Sequence, residues 1–108
     1  CLLMNFTNLH EQKRFDPEKY QKILLLDSPQ SALDVYCLLP GQTQKLHAHQ
    51  GTDKYYLVWE GRATVQIGEE IRELGPGEAA IARADVVHSI TNNSAEPVVA
   101  VVFRTLHK

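Results

Sequence analysis

Cysteine is scarce. The chain carries only Cys1 and Cys37, and one possible pair is no disulfide framework. Long apolar runs are missing too, so no segment approaches the roughly 20 residues of a membrane-spanning helix. Basic charge is not in excess. Lys and Arg number 11 against 13 Asp and Glu, a formal charge of −2, which argues against nucleic acid or an anionic membrane as partner. Charges of both signs are scattered, and no single-sign block or low-complexity stretch interrupts them. The opening Cys1-Leu2-Leu3-Met4 is too short for a secretion signal and lacks its basic start. Met4 is a candidate initiator. With so little cysteine, the expected setting is a reducing cytoplasm.

What is present suffices for one ordinary domain. The 108 residues are 44% hydrophobic and 22% charged, enough apolar material for a core. Asp16-Pro17-Glu18 places a capping residue before a proline and an acid, which predicts a helical turn or two through Tyr20. Beyond it the period changes. Residues 23–26 form a short apolar run closed by Asp27-Ser28-Pro29. Leu33, Val35, Cys37 and Leu39 then alternate at strand spacing. Further strand-like runs follow at 45–49, 55–59, 63–67, 71–74, 79–82, 86–91 and 98–103, separated by glycine, proline and asparagine turns. Many short strands with short connections predict an all-β, antiparallel sandwich or barrel. The expected organisation is an N-terminal segment at 1–30, holding the helical turn and first strand, and a barrel at 31–108.

Five histidines occur. His47 and His49 are two apart, so on a strand both imidazoles point to one side, within reach of a single metal ion. His88 lies on a later strand. Imidazole is the commonest ligand for borderline cations. On spacing alone, His47 and His49 read first as partly exposed polar residues near a loop, because so short a motif often matches by chance. His10 and His107 lie near the termini and read as exposed. Cys37, in an apolar alternating run, reads as a small buried hydrophobe.

Gly41, the run His47-Ala48-His49 and Gly61 together resemble the first signature of the cupin superfamily. Gly75-Pro76-Gly77-Glu78, leading through Arg83 and Asp85 to His88 and Asn92, resembles the second. The resemblance covers about residues 31–103 and is nearest to the small single-domain cupins. It implies a conical antiparallel jelly-roll barrel with an interior pocket, and His47, His49 and His88 as metal ligands. The chain departs from the pattern at the family's usual glutamate ligand, where it has Lys54. A transition metal such as Zn, Ni, Cu, Co or Fe is the expected cofactor, and Lys54 in place of that glutamate weakens the expectation. Arg83 and Asp85 stand where the family usually has proline and glycine.

Three readings of Lys54 follow: outward-pointing, beside the histidines and repelling a divalent ion, or desolvated as a base or nucleophile. By strand parity Lys54, Tyr56 and Val58 share one face, and Tyr55, Leu57 and Trp59 the other. The first face is the pocket face if the resemblance holds. Lys54, Tyr56 and Gln42 are the candidate pocket residues, and Arg104 reads as a solvated strand end. The sequence leaves open a metal-dependent small enzyme, a non-catalytic ligand-binding or sensor module, and a metal-free cupin. A small-molecule ligand is expected in each. Apolar residues at 23–26, 98–102 and on the Trp59 face exceed what one small barrel needs, which predicts a homodimer.

Overall fold

The computed structural model describes residues 4–106; Cys1 and His107 lie outside them. A single-turn helix α1 (Leu9–Gln12) precedes nine strands: β1 (Gln21–Asp27), β2 (Ser31–Leu38), β3 (Thr43–His47), β4 (Lys54–Glu60), β5 (Ala63–Ile67), β6 (Glu70–Leu74), β7 (Ala79–Ala82), β8 (His88–Thr91) and β9 (Val98–Thr105). The first sheet runs β1-β2-β9-β4-β7 and the second β3-β8-β5-β6. Every pairing is antiparallel. The architecture is the expected all-β antiparallel jelly roll. β1 joins β2 in one sheet, so the first strand is continuous with the barrel.

Alternation sets the layers. On β2, Tyr36 and Leu38 point inward, where they pack with Tyr56, Val58, Val65, Ile90 and Val102 between the sheets. Val35 and Cys37 point outward and form a second cluster with Ile23, Leu25 and Val99, covered by Leu9 and Phe15 of the N-terminal segment. Cys37 is a free, buried thiol in that cluster. An ion pair of 2.9 Å between Lys13 and Glu60 ties the segment down. Much of the apolar surface on β1 and β9 that the sequence offers toward a dimer is therefore covered by the chain's own N-terminal segment.

The helical turn is not where the sequence pattern puts it. Asn8 caps α1, accepting hydrogen bonds from the amides of His10 and Glu11. At Asp16-Pro17-Glu18 the Asp16 side chain accepts from the Glu18 amide over 2.8 Å, but residues 17–20 remain bends and extended chain. The Asp16 carbonyl is engaged by the Gln42 side chain instead of an amide four residues on. A side chain turning back on its own backbone competes with helix as readily as it starts one.

Gly61 follows β4 with φ +80°, and a Cβ there would meet the Pro97 carbonyl oxygen. The close approach of two loops requires glycine. Asn92, fully buried, donates to the carbonyls of Leu38 and Glu96 and accepts from Ser94, which closes the β8–β9 connection.

Candidate metal centre

β3 ends at His47, which stands directly opposite His88, the first residue of β8; the register slips between Gln44 and His47. His49 lies beyond the strand end. The parity that placed both histidines on one face thus does not hold them together. A backbone contact does: the Asp85 amide donates to the His49 carbonyl over 2.9 Å. Asp85 adopts φ +70° to reach it, a conformation that aspartate tolerates better than most residues. The chain thus keeps, without glycine, the turn its resemblance assigns to glycine.

The three imidazoles converge. Ring centroids are 4.2 Å apart for His47 and His88, 4.7 Å for His47 and His49, and 5.7 Å for His49 and His88. One ring nitrogen from each lies within 4.8 Å of the others. His47 Nδ1 is 2.6 Å from the Lys45 carbonyl and His88 Nδ1 2.9 Å from the Val86 carbonyl. A carbonyl only accepts, so each Nδ1 carries the proton and each Nε2 presents a lone pair. His88 Nε2 is buried without a hydrogen-bond partner. An orphaned buried acceptor is costly, and a cation relieves it. Burial lowers the pKa of His47 and His49 and takes His88 down to about 4; the Lys54 charge pushes the same way. The rings are therefore neutral, as ligation requires.

Lys54 faces inward and is only 1% exposed. Its Nζ donates to the Tyr36 hydroxyl at 3.2 Å and lies 3.4 Å from His47 Nε2. The outward-pointing reading is thereby removed. Burial first, then the charges of Lys22 and Arg104, lower its pKa to about 8, with Asp34 opposing. The three imidazoles fit a borderline transition metal, whereas the ammonium at the fourth position does not.

Around Lys54 runs a polar network. Gln44 donates to the Tyr36 hydroxyl at 3.0 Å, and the Tyr56 hydroxyl donates to Gln44 at 3.1 Å. Burial raises the pKa of both phenols, so they stay protonated. Tyr56 takes the inward position expected of it. Gln42 does not join the network: its side chain accepts from the Leu39 amide and donates to Asp16. Gln44, one pleat further along, stands there instead. Sequence reasoning also passed over Tyr36, the inward residue beside Cys37, which the same alternation would have revealed. Arg104 is no solvated end. It is the cross-strand neighbour of Lys54 and donates to the fully buried Asp34 at 2.8 Å.

A cupin-domain model matches residues 34–104 of this chain. The chain belongs to the cupin family. Among solved structures, this cupin is similar to TT1209 from Thermus thermophilus, at 42% identity over 94% of this chain and 97% of the other, with a TM-score of 0.91. A double-stranded β-helix protein from Klebsiella pneumoniae shares 24% identity over 94% and 90%, with a TM-score of 0.86. A cupin superfamily protein from Desulfitobacterium hafniense shares 15% over 99% and 100%, at 0.82. These last two establish the fold alone. No curated protein matches the chain. Apart from the histidines, a cleft of about 490 Å³ is lined by Val65, Ile67, Leu74 and Ile81 together with the charged Glu70 and Arg72. It reaches Ile67, the cross-strand partner of His88.

Proposed function

We propose that this cupin binds a small molecule at the three-histidine site and, with a divalent transition metal held by His47, His49 and His88, turns it over. The orphaned, buried Nε2 of His88 beside two further imidazoles carries the reading. Three nitrogen donors without a carboxylate favour Zn, Ni, Cu, Co or Fe(II) over Mg or Ca. Such a metal supplies Lewis-acid chemistry when bound. Around it, Tyr36 and Tyr56 offer phenol donors, and Lys54 places positive charge against the ring of His47. Elemental analysis of protein made without a histidine tag tests the reading. A full equivalent of a transition metal supports it. An equivalent of Mg or Ca, or no uptake on titration, overturns it.

A second reading has its own observation. Lys54, 3.4 Å from His47 Nε2, supports a metal-free barrel that binds its ligand through the lysine. The two readings separate by pH. Each ligand must be neutral, and the imidazole pKa values are lowered, so metal affinity should not fall as pH drops through 6.5, only further down. Lys54 loses its charge above about 8, so affinity for Ni or Co should rise from pH 7 to pH 9 in the unaltered chain and stay flat in Lys54→Met. A flat profile in both shows that Lys54 does not oppose the metal. Without metal, the sign is equally definite. Between pH 6.5 and about 4 the unfolded chain protonates His88 and the folded chain does not, so stability falls as pH drops through that window.

The cytoplasm and a homodimer belong to the same proposal. The free, buried Cys37 suits a reducing compartment. The outer face of β4 and β9 leaves Tyr55, Trp59 and Phe103 exposed by 43%, 47% and 39%, with the Tyr55 and Phe103 rings 5.9 Å apart. An aromatic patch of this kind suits a two-fold contact. Because Trp59 is half exposed, Trp59→Lys should halve the mass seen by light scattering while the melting temperature changes by a few degrees only. An unchanged mass at micromolar concentration removes this face from the interface.

A further inference from the structure

Two buried acceptors of the barrel interior have no hydrogen-bond partner, His88 Nε2 and Asp34 Oδ1. The buried ammonium of Lys54 serves neither. It donates to the Tyr36 hydroxyl and lies against His47 Nε2. Because Nδ1 of His47 faces the Lys45 carbonyl, Nε2 carries the one lone pair that ring can offer, so Lys54 sits on the atom a metal needs. Asp34 is close at hand. Ala32 on β2 stands abreast of Arg104 on β9, and Arg104 abreast of Lys54 on β4. Strand alternation puts Ala32, Asp34 and Tyr36 on one face. Asp34 therefore lies on β2 between the residue level with Lys54 and the tyrosine that Lys54 already reaches. Among the described residues, Asp34 is the one carboxylate acting on the Lys54 ammonium. Its Oδ2 holds Arg104 at 2.8 Å, which leaves Oδ1 open.

We infer that Asp34 is a positioning residue for the proposed metal site: its open oxygen receives the Lys54 ammonium when a divalent cation takes His47. Both orphaned acceptors gain a partner in this exchange. The cation engages the Nε2 lone pairs of His47 and His88, and Lys54 donates to Asp34 Oδ1. Lys54 keeps its protons, and no covalent bond forms or breaks. An ammonium left beside a divalent ion is repelled, whereas one moved onto a buried carboxylate is compensated. The metal-free arrangement, with Lys54 against His47, is then the closed form of the site. The inference deepens the metal reading and rests on it.

Zinc affinity at pH 7, measured by competition against a chromophoric chelator, tests this in four proteins: the unaltered chain, Asp34→Asn, Lys54→Met and the double variant. Asparagine keeps an oxygen for Arg104 and presents N–H where Lys54 needs an acceptor. It removes the landing point with little change of shape. In the unaltered background Asp34→Asn should weaken zinc binding at least about tenfold, the low end for a hydrogen bond to a charged group. In the Lys54→Met background the same change should weaken it less than about threefold, as for independent sites. Thermal melts confirm that each variant folds. A crystal structure of the unaltered chain loaded with zinc should place Lys54 Nζ on Asp34 Oδ1 and away from His47, and it decides the matter even if Asp34→Asn fails to fold. Equal losses in both backgrounds mean that Asp34 acts through its charge or the fold, and they overturn the inference. A zinc-loaded structure with Lys54 still against His47 does the same. Zinc uptake by Lys54→Met but not by the unaltered chain overturns it and leaves a histidine metal site standing. No uptake by any of the four overturns the metal reading together with the inference.

Discussion

Lys54→Glu should bind a divalent transition metal at least about a hundredfold more tightly than the unaltered chain. The ammonium stands 3.4 Å from His47 Nε2 and is almost wholly buried. Unit charges about 4 Å apart interact by about 4 kcal/mol at an effective dielectric of about 20, and each 1.4 kcal/mol or so is tenfold in affinity. The substitution removes a repulsion and supplies a fourth ligand, with the Tyr36 hydroxyl in place to donate to the new carboxylate. Lys54→Met should fall between the two, because it removes the repulsion alone. Competition against a chromophoric chelator measures all three proteins. Equal or weaker binding by the glutamate variant defeats the claim that Lys54 governs the site.

Asp34→Ala should lower the melting temperature by roughly 12–24 °C. Asp34 is fully buried and receives the Arg104 guanidinium at 2.8 Å, and the Arg104 side chain is only 25% exposed. Breaking a buried pair from one side leaves the other charge uncompensated and costs about 3–5 kcal/mol; Arg104's partial exposure puts the cost at the low end. In a domain of this size each kcal/mol shifts the midpoint by about 4–8 °C. Asp34→Asn should lose less, since the amide oxygen still accepts. Circular dichroism melts decide it, and a shift of under about 4 °C for the alanine variant contradicts the account.

Strand periodicity was legible where one face is buried. β5 and β7 fall where the turn signals placed them, and the split of β4 into an inward Lys54-Tyr56-Val58 face and an outward Tyr55-Trp59 face holds. Short polar segments were less legible, because their partners are remote in sequence. Asp16 lost its helix to Gln42, twenty-six residues away. His49 is held by Asp85 across the mouth, not by strand parity. Arg104 looked like a solvated end because nothing near it in sequence announces Asp34, seventy residues away. The histidine trio itself came from matching two signatures. Spacing alone could not tell ligands from loop residues.

The position of β9 between β2 and β4 also bears on how the protein is made. Of the barrel's described strands, the last to leave the ribosome is the one that joins β1 and β2 to β4 and β7. Until it emerges, Tyr36 and Tyr56 have no shared sheet to sit on, and the apolar faces of the earlier strands wait uncovered. The barrel therefore cannot close before residues 98–105 are free, and its closure is dominated by distant pairings and slow for its size. The nascent chain's exposure to chaperones and proteases is set by how soon that stretch becomes available.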